Sequence, residues 1–317
     1  MGLTNSVNFT KIAVSKQENR SKPMNLPQIF RQFPDQEACI EHLENLRYKH
    51  EEYCPHCGSV NVSRKCDGDR VGRWNCHDCK SSFNVLSGTI MEKTRVPLQK
   101  WFLAIGLMVN AKKSLSSLQL ARDLELTQPT AWFMQKRIRA EMASKQSGIE
   151  LQGIVEADET YVGGKPRKGN NRDDDGNGKN PRGRGTSKTP VIGAVERGGK
   201  VVAKVATDLS GKGVLQFIRE TVEPAGSLLI TDEFNSYNGV KREYNHAVIN
   251  HSIQYADGDT HTNTIEGYWS LLKRAWYGSH HHYSKQHTPL YVAESAWKYN
   301  HRKDENAFGT FLKGCFA

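Results

Sequence analysis

The sequence predicts a mixed α/β protein whose first half is helical and basic and whose second half contains a sheet. Three observations predict it. Apolar runs bounded by Gly or Ser, at residues 153–159 and 227–233, alternate with amphipathic stretches in the second half. Two Cys-x-x-Cys pairs and several segments of helical period fill the first half. The net charge of +10 is also unevenly spread. Residues 1–53 carry seven basic and seven acidic side chains, residues 54–145 fifteen and seven, and residues 146–317 twenty-two and twenty. The excess lies in one segment, which points to a polyanion-binding part joined to a part that does chemistry.

A chain of 317 residues suggests about two domains. The longest apolar run, residues 101–109, is too short to cross a membrane, and no signal-peptide pattern is present. The first six residues fit the loose myristoylation pattern, a match that arises readily by chance. An odd total of seven cysteines without a signal argues for metal and a reducing compartment rather than a disulfide framework.

In chain order, residues 1–24 lack periodicity and are expected to be poorly ordered. Asp35 caps a helix with Ala38, Ile40, Leu43 and Leu46 on its apolar side, where Cys39 packs as a small apolar residue. Cys54, Cys57, Cys76 and Cys79 follow in two tight pairs, the spacing of a zinc ribbon with one tetrahedral, structural Zn²⁺. Arg64, Lys65, Arg70, Arg73 and Trp74 lie on its arms. Cys66 is left over, either a loop cysteine or a further ligand. Residues 97–110 read as a buried helix with Pro97 near its start. A helix from Ser114 to Leu124, a short turn and a helix capped by Thr127 fit either a helix-turn-helix or a plain helical hairpin, and the local charge favours DNA binding. Gln128, Thr130 and Gln135 are then nearest base edges, with Lys136, Arg137 and Arg139 closing the second helix.

After Gly148 strands predominate. They are expected at 151–158, at 190–197 and 200–207 across the Gly198-Gly199 turn, at 227–232, and at 246–251. The basic loop 165–190 has no periodicity and either clamps a phosphate backbone or is simply solvated. Helices are expected at 212–222, at 261–276 and at about 289–300. In 261–276, Ile265, Trp269, Leu272 and Trp276 make the apolar stripe. Glu266 and Lys273 share another face, ~10 Å apart, and either suit two points on one long anionic ligand or are simply a solvated helix face. His261 sits near this helix's start, near the acids or packed there.

Carboxylates at the end of a buried strand are costly unless they hold a hard cation. Both strand runs end in Asp-Glu pairs, so spacing alone does not choose between Asp158 and Glu159, or between Asp232 and Glu233; Glu156 shares a strand face with Asp158. Three strands with a hairpin, then helix, strand, strand and helix, with acids at these places, is the layout of a ribonuclease-H-like α/β fold.

Residues 54–57, 157–165, 231–233 and 261–273 together resemble bacterial insertion-sequence transposases of the DDE superfamily with an N-terminal zinc ribbon. The resemblance implies a ribonuclease-H-like catalytic domain preceded by a zinc ribbon and a helix-turn-helix-like region. Its expected parts are an N-terminal helical and flexible segment 1–53, a ribbon 54–92, a DNA-binding region 93–147, a catalytic domain 148–303 and a C-terminal tail 304–317. It picks Asp158, Asp232 and Glu266 as catalytic acids, holding two Mg²⁺ (or Mn²⁺) when DNA is bound. Lys273 steadies a phosphate. The partners implied are double-stranded DNA, both terminal inverted repeats and target, and a second copy of the chain on that DNA. The implied setting is the bacterial cytoplasm, associated with the nucleoid, with no membrane. The implied activity is metal-dependent strand cleavage and strand transfer. Two alternatives are a ribonuclease-H-like nuclease that does not join strands, and a zinc-ribbon regulator with an inactive core. The presence of all three acids weighs against the second.

Overall fold

The computed structural model describes residues 24–49, 51–65, 72–163, 188–249 and 261–316. The expectations for the first residues, for Cys66 and for the basic loop up to residue 187 lie outside that set.

Helix α1 (Leu26–Gln32) starts on Asn25 with a reciprocal cap: Asn25 accepts from the Gln28 amide, and Gln28 accepts from the Asn25 amide. Helix α2 (Gln36–Arg47) is capped by Asp35 and buries Cys39, Ile40 and Leu43. Strands β1 (Val62–Arg64), β2 (Arg73–Cys76) and β3 (Ser82–Asn84) form a small antiparallel sheet. Trp74 and Phe83 stack in its core with ring centroids 6.4 Å apart. Helix α3 (Leu98–Asn110) begins after Pro97 and buries Trp101, Phe102, Ile105 and Met108. Helices α4 (Ser117–Asp123) and α5 (Gln128–Ser144) are capped by Ser116 and Thr127. The turn between them closes because Glu125 takes a left-handed φ of 51° and the Leu126 amide reaches back to Ala121 O at 2.9 Å.

The second part runs β4 (Ile154–Val162), β5 (Thr189–Glu196), β6 (Val201–Val205), α6 (Gly211–Thr221), β7 (Leu228–Asp232), β8 (Asn245–Ile249), α7 (Asn263–Ala275), a π turn at Trp276–His280, α8 (Thr288–Asn300) and α9 (Ala307–Gly314). The sheet order is β6-β5-β4-β7-β8. β4, β5 and β6 pair antiparallel, whereas β7 pairs parallel with both β4 and β8. Alternation sorts the two faces. Val155, Ala157, Ile192 and Ala194 pack with α6, while Val162, Val191 and Val195 pack with α7 and α8.

Two expectations are corrected. Residues 304–317 are not a tail: they carry α9, whose Phe308, Phe311 and Leu312 join one core with α1, α2, α3, α4 and α5. Phe102 links the chain's beginning to its end, 4.8 Å from Phe33 and 5.8 Å from Phe308. The helical segments expected as separate parts on either side of the ribbon are therefore one packed unit. Trp297 of α8 also enters this core, against Phe311 at 5.7 Å, so the helical unit and the sheet unit are joined there. Secondly, β4 does not stop at Asp158 but runs on to Val162. Only its pairing with β7 ends at Ala157; beyond that β4 continues against β5.

Candidate active site and metal centre

The parallel register pairs Ala157 with Thr231, the last pair of that ladder. Asp158 and Asp232 come next and so lie side by side at its end. Carboxylate oxygens of Asp158, Glu159 and Asp232 lie within 4.8 Å of one another. Burial, then the charges of Glu159 and Asp232, push the Asp158 carboxyl up to about 7. Two donors oppose this: the Glu159 backbone and Trp269 of α7, whose Nε1 bonds Asp158 Oδ2 at 3.0 Å. Asp232 accepts from the Phe234 amide at 3.1 Å. Crowded carboxylates of this kind repel one another and fit a divalent cation, which would relieve that repulsion.

Glu266 lies in the first turn of α7, exposed, and is not part of the 4.8 Å cluster. Its Oε1 accepts from Thr262 Oγ1 at 3.3 Å. Lys273 is exposed near the end of the same helix. Glu156 is fully buried and bonds the start of α7, and His261 lies 3.3 Å from its Oε1. In the sequence Glu156 shares the Asp158 face without an evident task, and Trp269 reads only as part of the apolar stripe. The two-residue step from Asp158 was the available signal for Glu156.

The sulfurs of Cys54, Cys57, Cys76 and Cys79 also lie within 4.8 Å of one another. Cys54 and Cys79 are 3.7 Å apart and Cys57 and Cys76 3.6 Å, close to the ~3.8 Å edge of a Zn–S₄ tetrahedron with ~2.3 Å bonds. Backbone amides of His56 and Cys79 point at Cys54 and Cys76 sulfurs at 3.4 and 3.5 Å. Ser81 hydroxyl and amide hold Cys79 down at about 6. Cys57 goes the other way, up to about 12: the Ser59 amide lowers it, but desolvation and the Cys76, Cys79 and Cys54 thiols outweigh that. Four cysteine sulfurs this close match the donor set of a tetrahedral cation, and the cluster supports a structural zinc site. His77 Nε2 lies 2.8 Å from Ser63 Oγ.

The residues expected at DNA divide. Gln128 and Lys136 are exposed and Thr130 is half-buried on α5. Gln128 donates to Ser117 at 2.8 Å, and the Thr130 and Thr127 hydroxyls are 2.8 Å apart. Gln135 and Arg139 are corrected: each is 1% exposed, so Gln135 does not reach a base edge and Arg139 does not offer its charge to DNA. They lie one turn apart on the inner face of α5, where Gln135 donates to Leu115 O at 2.9 Å and Arg139 to Glu294 at 2.7 Å. Arg137 is half-buried and donates to Ile90 O and Glu92 O at 2.7 and 2.9 Å, tying α5 to the ribbon's exit. His280 is half-buried with Nε2 2.7 Å from Ser114 Oγ, and burial lowers it to about 4.

An acid-lined sheet end joined to a four-cysteine ribbon defines a class of metal-site protein with a zinc module and an α/β domain. Comparison with known proteins names the family. An ISXO2-like transposase domain matches residues 150–300, and a transposase zinc-ribbon domain matches residues 34–82. A protein of transposable element ISH50 from Halobacterium salinarum is 31% identical over 266 residues, 79% of this chain and 86% of that one. A transposase-like protein of Haemophilus influenzae is 33% identical over 102 residues, 32% of this chain and 81% of its own. The chain belongs to the ISXO2-like transposase family and is a DDE-type polynucleotidyl transferase with an N-terminal zinc ribbon. Among solved structures, the mariner Mos1 paired end complex with Mg aligns over 71% of this chain and 80% of its own, at 14% identity and a TM-score of 0.26. The Mos1 strand transfer complex aligns at 13% identity and 0.25. A likeness of that degree bears no weight for the site.

Proposed function

We propose that the protein is a DNA transposase that binds the ends of its element, cleaves a strand there and joins it to target DNA. The observation that carries this is the pair Asp158 and Asp232, set side by side where the β4–β7 ladder ends, with Asp158 raised to about 7. The sheet order and its mixture of antiparallel and parallel pairs support a ribonuclease-H-like domain over 148–303.

Asp158, Asp232 and Glu266 would hold divalent cations together with the scissile phosphate. Such ions supply an activated oxygen nucleophile and a stabilised leaving oxygen. Glu266 is exposed and its Oε1 accepts a long bond from Thr262 at 3.3 Å, so its side chain would change rotamer to meet a cation at little cost. Trp269 holds the Asp158 carboxylate, and Lys273 faces solvent as a point charge for phosphate. No Ser or Tyr nucleophile is needed.

DNA contact is assigned to Gln128, Thr130 and Lys136 on α5. A groove of 580 Å³ between the end of α3 and the end of α8, lined in part by Lys112, Lys113, Arg302 and Lys303, offers further phosphate contacts. Two copies of the chain on two paired ends complete the working assembly.

The test is incubation with Mg²⁺ and DNA bearing the element's ends. Cleaved 3′ ends and joined products are expected, and each should be lost in Asp158→Asn, Asp232→Asn and Glu266→Gln. Cleavage without joining would leave a nuclease; normal cleavage by Glu266→Gln would remove that residue from the site.

A further inference from the structure

Glu156 is a carboxylate outside the acid cluster of Asp158, Glu159 and Asp232. It is 0% exposed, on β4, two residues before Asp158 and on the same face. A buried carboxylate is costly unless its oxygens are satisfied, and here they are. Oε2 accepts from the backbone amides of Thr264 and Ile265 at 2.8 and 3.0 Å. Oε1 accepts from Thr264 Oγ1 at 2.8 Å and from Arg197 Nε at 2.6 Å. Arg197 also donates to His261 O at 2.9 Å, so the segment entering α7 is held from both sides.

Helix α7 needs such a partner. Thr262 is its N-cap residue and makes no side-chain cap bond, its hydroxyl being turned to Glu266 instead. The amides that a local Ser or Asp would cap are capped from a strand 108 positions away. A negative charge there also suits the helix dipole. One turn further on, Trp269 bonds Asp158 on the same strand. Glu266 lies between these two anchor points, so β4, which carries Asp158, sets both ends of the segment that carries Glu266.

We propose that Glu156 is a positioning residue for Glu266: it touches no reacting atom but fixes the first turn of α7 at the height on β4 where Glu266 joins Asp158 and Asp232 around a divalent cation. This rests on Glu266 being a ligand, as assigned above. It also accounts for three acids within residues 156–159, one of which serves the helix and not the metal.

The test is Mn²⁺ binding to the zinc-loaded full chain, followed by titration calorimetry. The variants are Glu156→Ala, Glu156→Gln, Glu266→Gln and the double variant Glu156→Ala/Glu266→Gln. Glu266→Gln and Glu156→Ala are each expected to weaken binding about 10- to 100-fold, the usual cost of losing a ligand's support. The double variant should bind no more weakly than Glu266→Gln alone, because Glu156 acts through Glu266. Glu156→Gln keeps an oxygen for the Thr264 and Ile265 amides and should recover part of the loss. Hydrogen exchange at those amides should speed up in Glu156→Ala and not in Glu266→Gln. If Glu156→Ala does not fold, Thr264→Val, which removes one bond to Oε1, enters the same cycle. Wild-type Mn²⁺ affinity in Glu156→Ala or Thr264→Val overturns the proposal. So does a double variant whose loss is the product of the two single losses. Unchanged affinity in Glu266→Gln overturns it differently, by removing Glu266 as a ligand, and that arm is read by itself.

Discussion

Trp269 reaches Asp158 across the one position on β5 where no side chain stands in the way. Its indole Nε1 lies 3.0 Å from Asp158 Oδ2, and Asp158 pairs with Gly193. A Cβ on Gly193 would lie 2.7 Å from the Trp269 ring. Gly193→Ala should therefore push the indole off β5 and break this bond, and Trp269→Phe should break it while leaving the ring in place. Both should lower cleavage by about tenfold, with folding retained in Trp269→Phe as judged by thermal melting. Full activity in Trp269→Phe would show that the bond does no work.

Asp158→Asn should stabilise the metal-free protein while abolishing cleavage. Burial and two neighbouring carboxylates oppose its charge, and amide at nearly constant shape removes that opposition. A gain of roughly 1–3 kcal/mol in urea unfolding at pH 8 is expected. The folded carboxyl is raised, so its share of stability is present below the ordinary carboxylate range and lost as pH rises through about 7. The gain should accordingly shrink at pH 5. A loss of stability at pH 8 would contradict the repulsion described.

Arg139, Glu294 and Lys298 form a buried cluster joining α5 to α8, with Arg139 Nε and Lys298 Nζ at 2.7 and 2.6 Å from Glu294. Burial raises the Glu294 carboxyl, but Lys298 and Arg139 outweigh it and hold it at about 2. Its folded value is depressed, so its contribution is present above the ordinary value of 4.5 and lost as pH falls from there towards 2. Glu294→Ala leaves two buried cations unpaired and should cost about 3–5 kcal/mol. Stability measured between pH 5 and 2.5 should fall steeply in the wild type, and less so in the variant.

Elemental analysis should find about one zinc per chain, lost when Cys54 and Cys57 are both changed to Ser. Among the described residues the ribbon core is Cys54, Trp74, Cys76 and Phe83 with a few partly buried neighbours, too little apolar area to fold without the ion. Zinc-free protein should lose protection over β1, β2 and β3 while the sheet of β4 to β8 keeps its own.

DNA affinity should fall with salt, and Lys136→Ala should reduce the slope of log affinity against log salt by about 1. Arg139→Ala should instead destabilise the fold, because it is 1% exposed and paired with Glu294. A fragment limited to the basic residues 54–145 lacks α1, α2 and α9, exposes the core that they cover, and should not bind as the whole chain does.

The local signals were legible in the sequence. Caps at Asp35 and Thr127, the hairpin across Gly198-Gly199 and the amphipathic α6 depend on residues a few positions apart, and each appears where its spacing says. The four cysteines likewise act within two short knuckles, and the residues nearest the sheet end were recognised as acids of β4 and β7.

What the sequence by itself determined is thus the inventory: a four-cysteine ribbon, a basic helical region, a set of strands with one hairpin, and acids on β4, β7 and α7. Tertiary structure alone decided which of these side chains meet. Gln135 and Arg139 carry polar groups yet face inward, because α5 is covered on that side by α4 and α8 and its polar atoms find Leu115 O and Glu294 there. The last residues form α9 because Phe308 and Phe311 have the core of α1 and α3 to bury against, a partner more than 200 positions away. Glu156, Asp158 and Glu159 look alike in the chain, but one caps α7, and the other two share the sheet end with Asp232. Such choices depend on contacts between distant segments, where burial and the need to pair every buried charge override local preference.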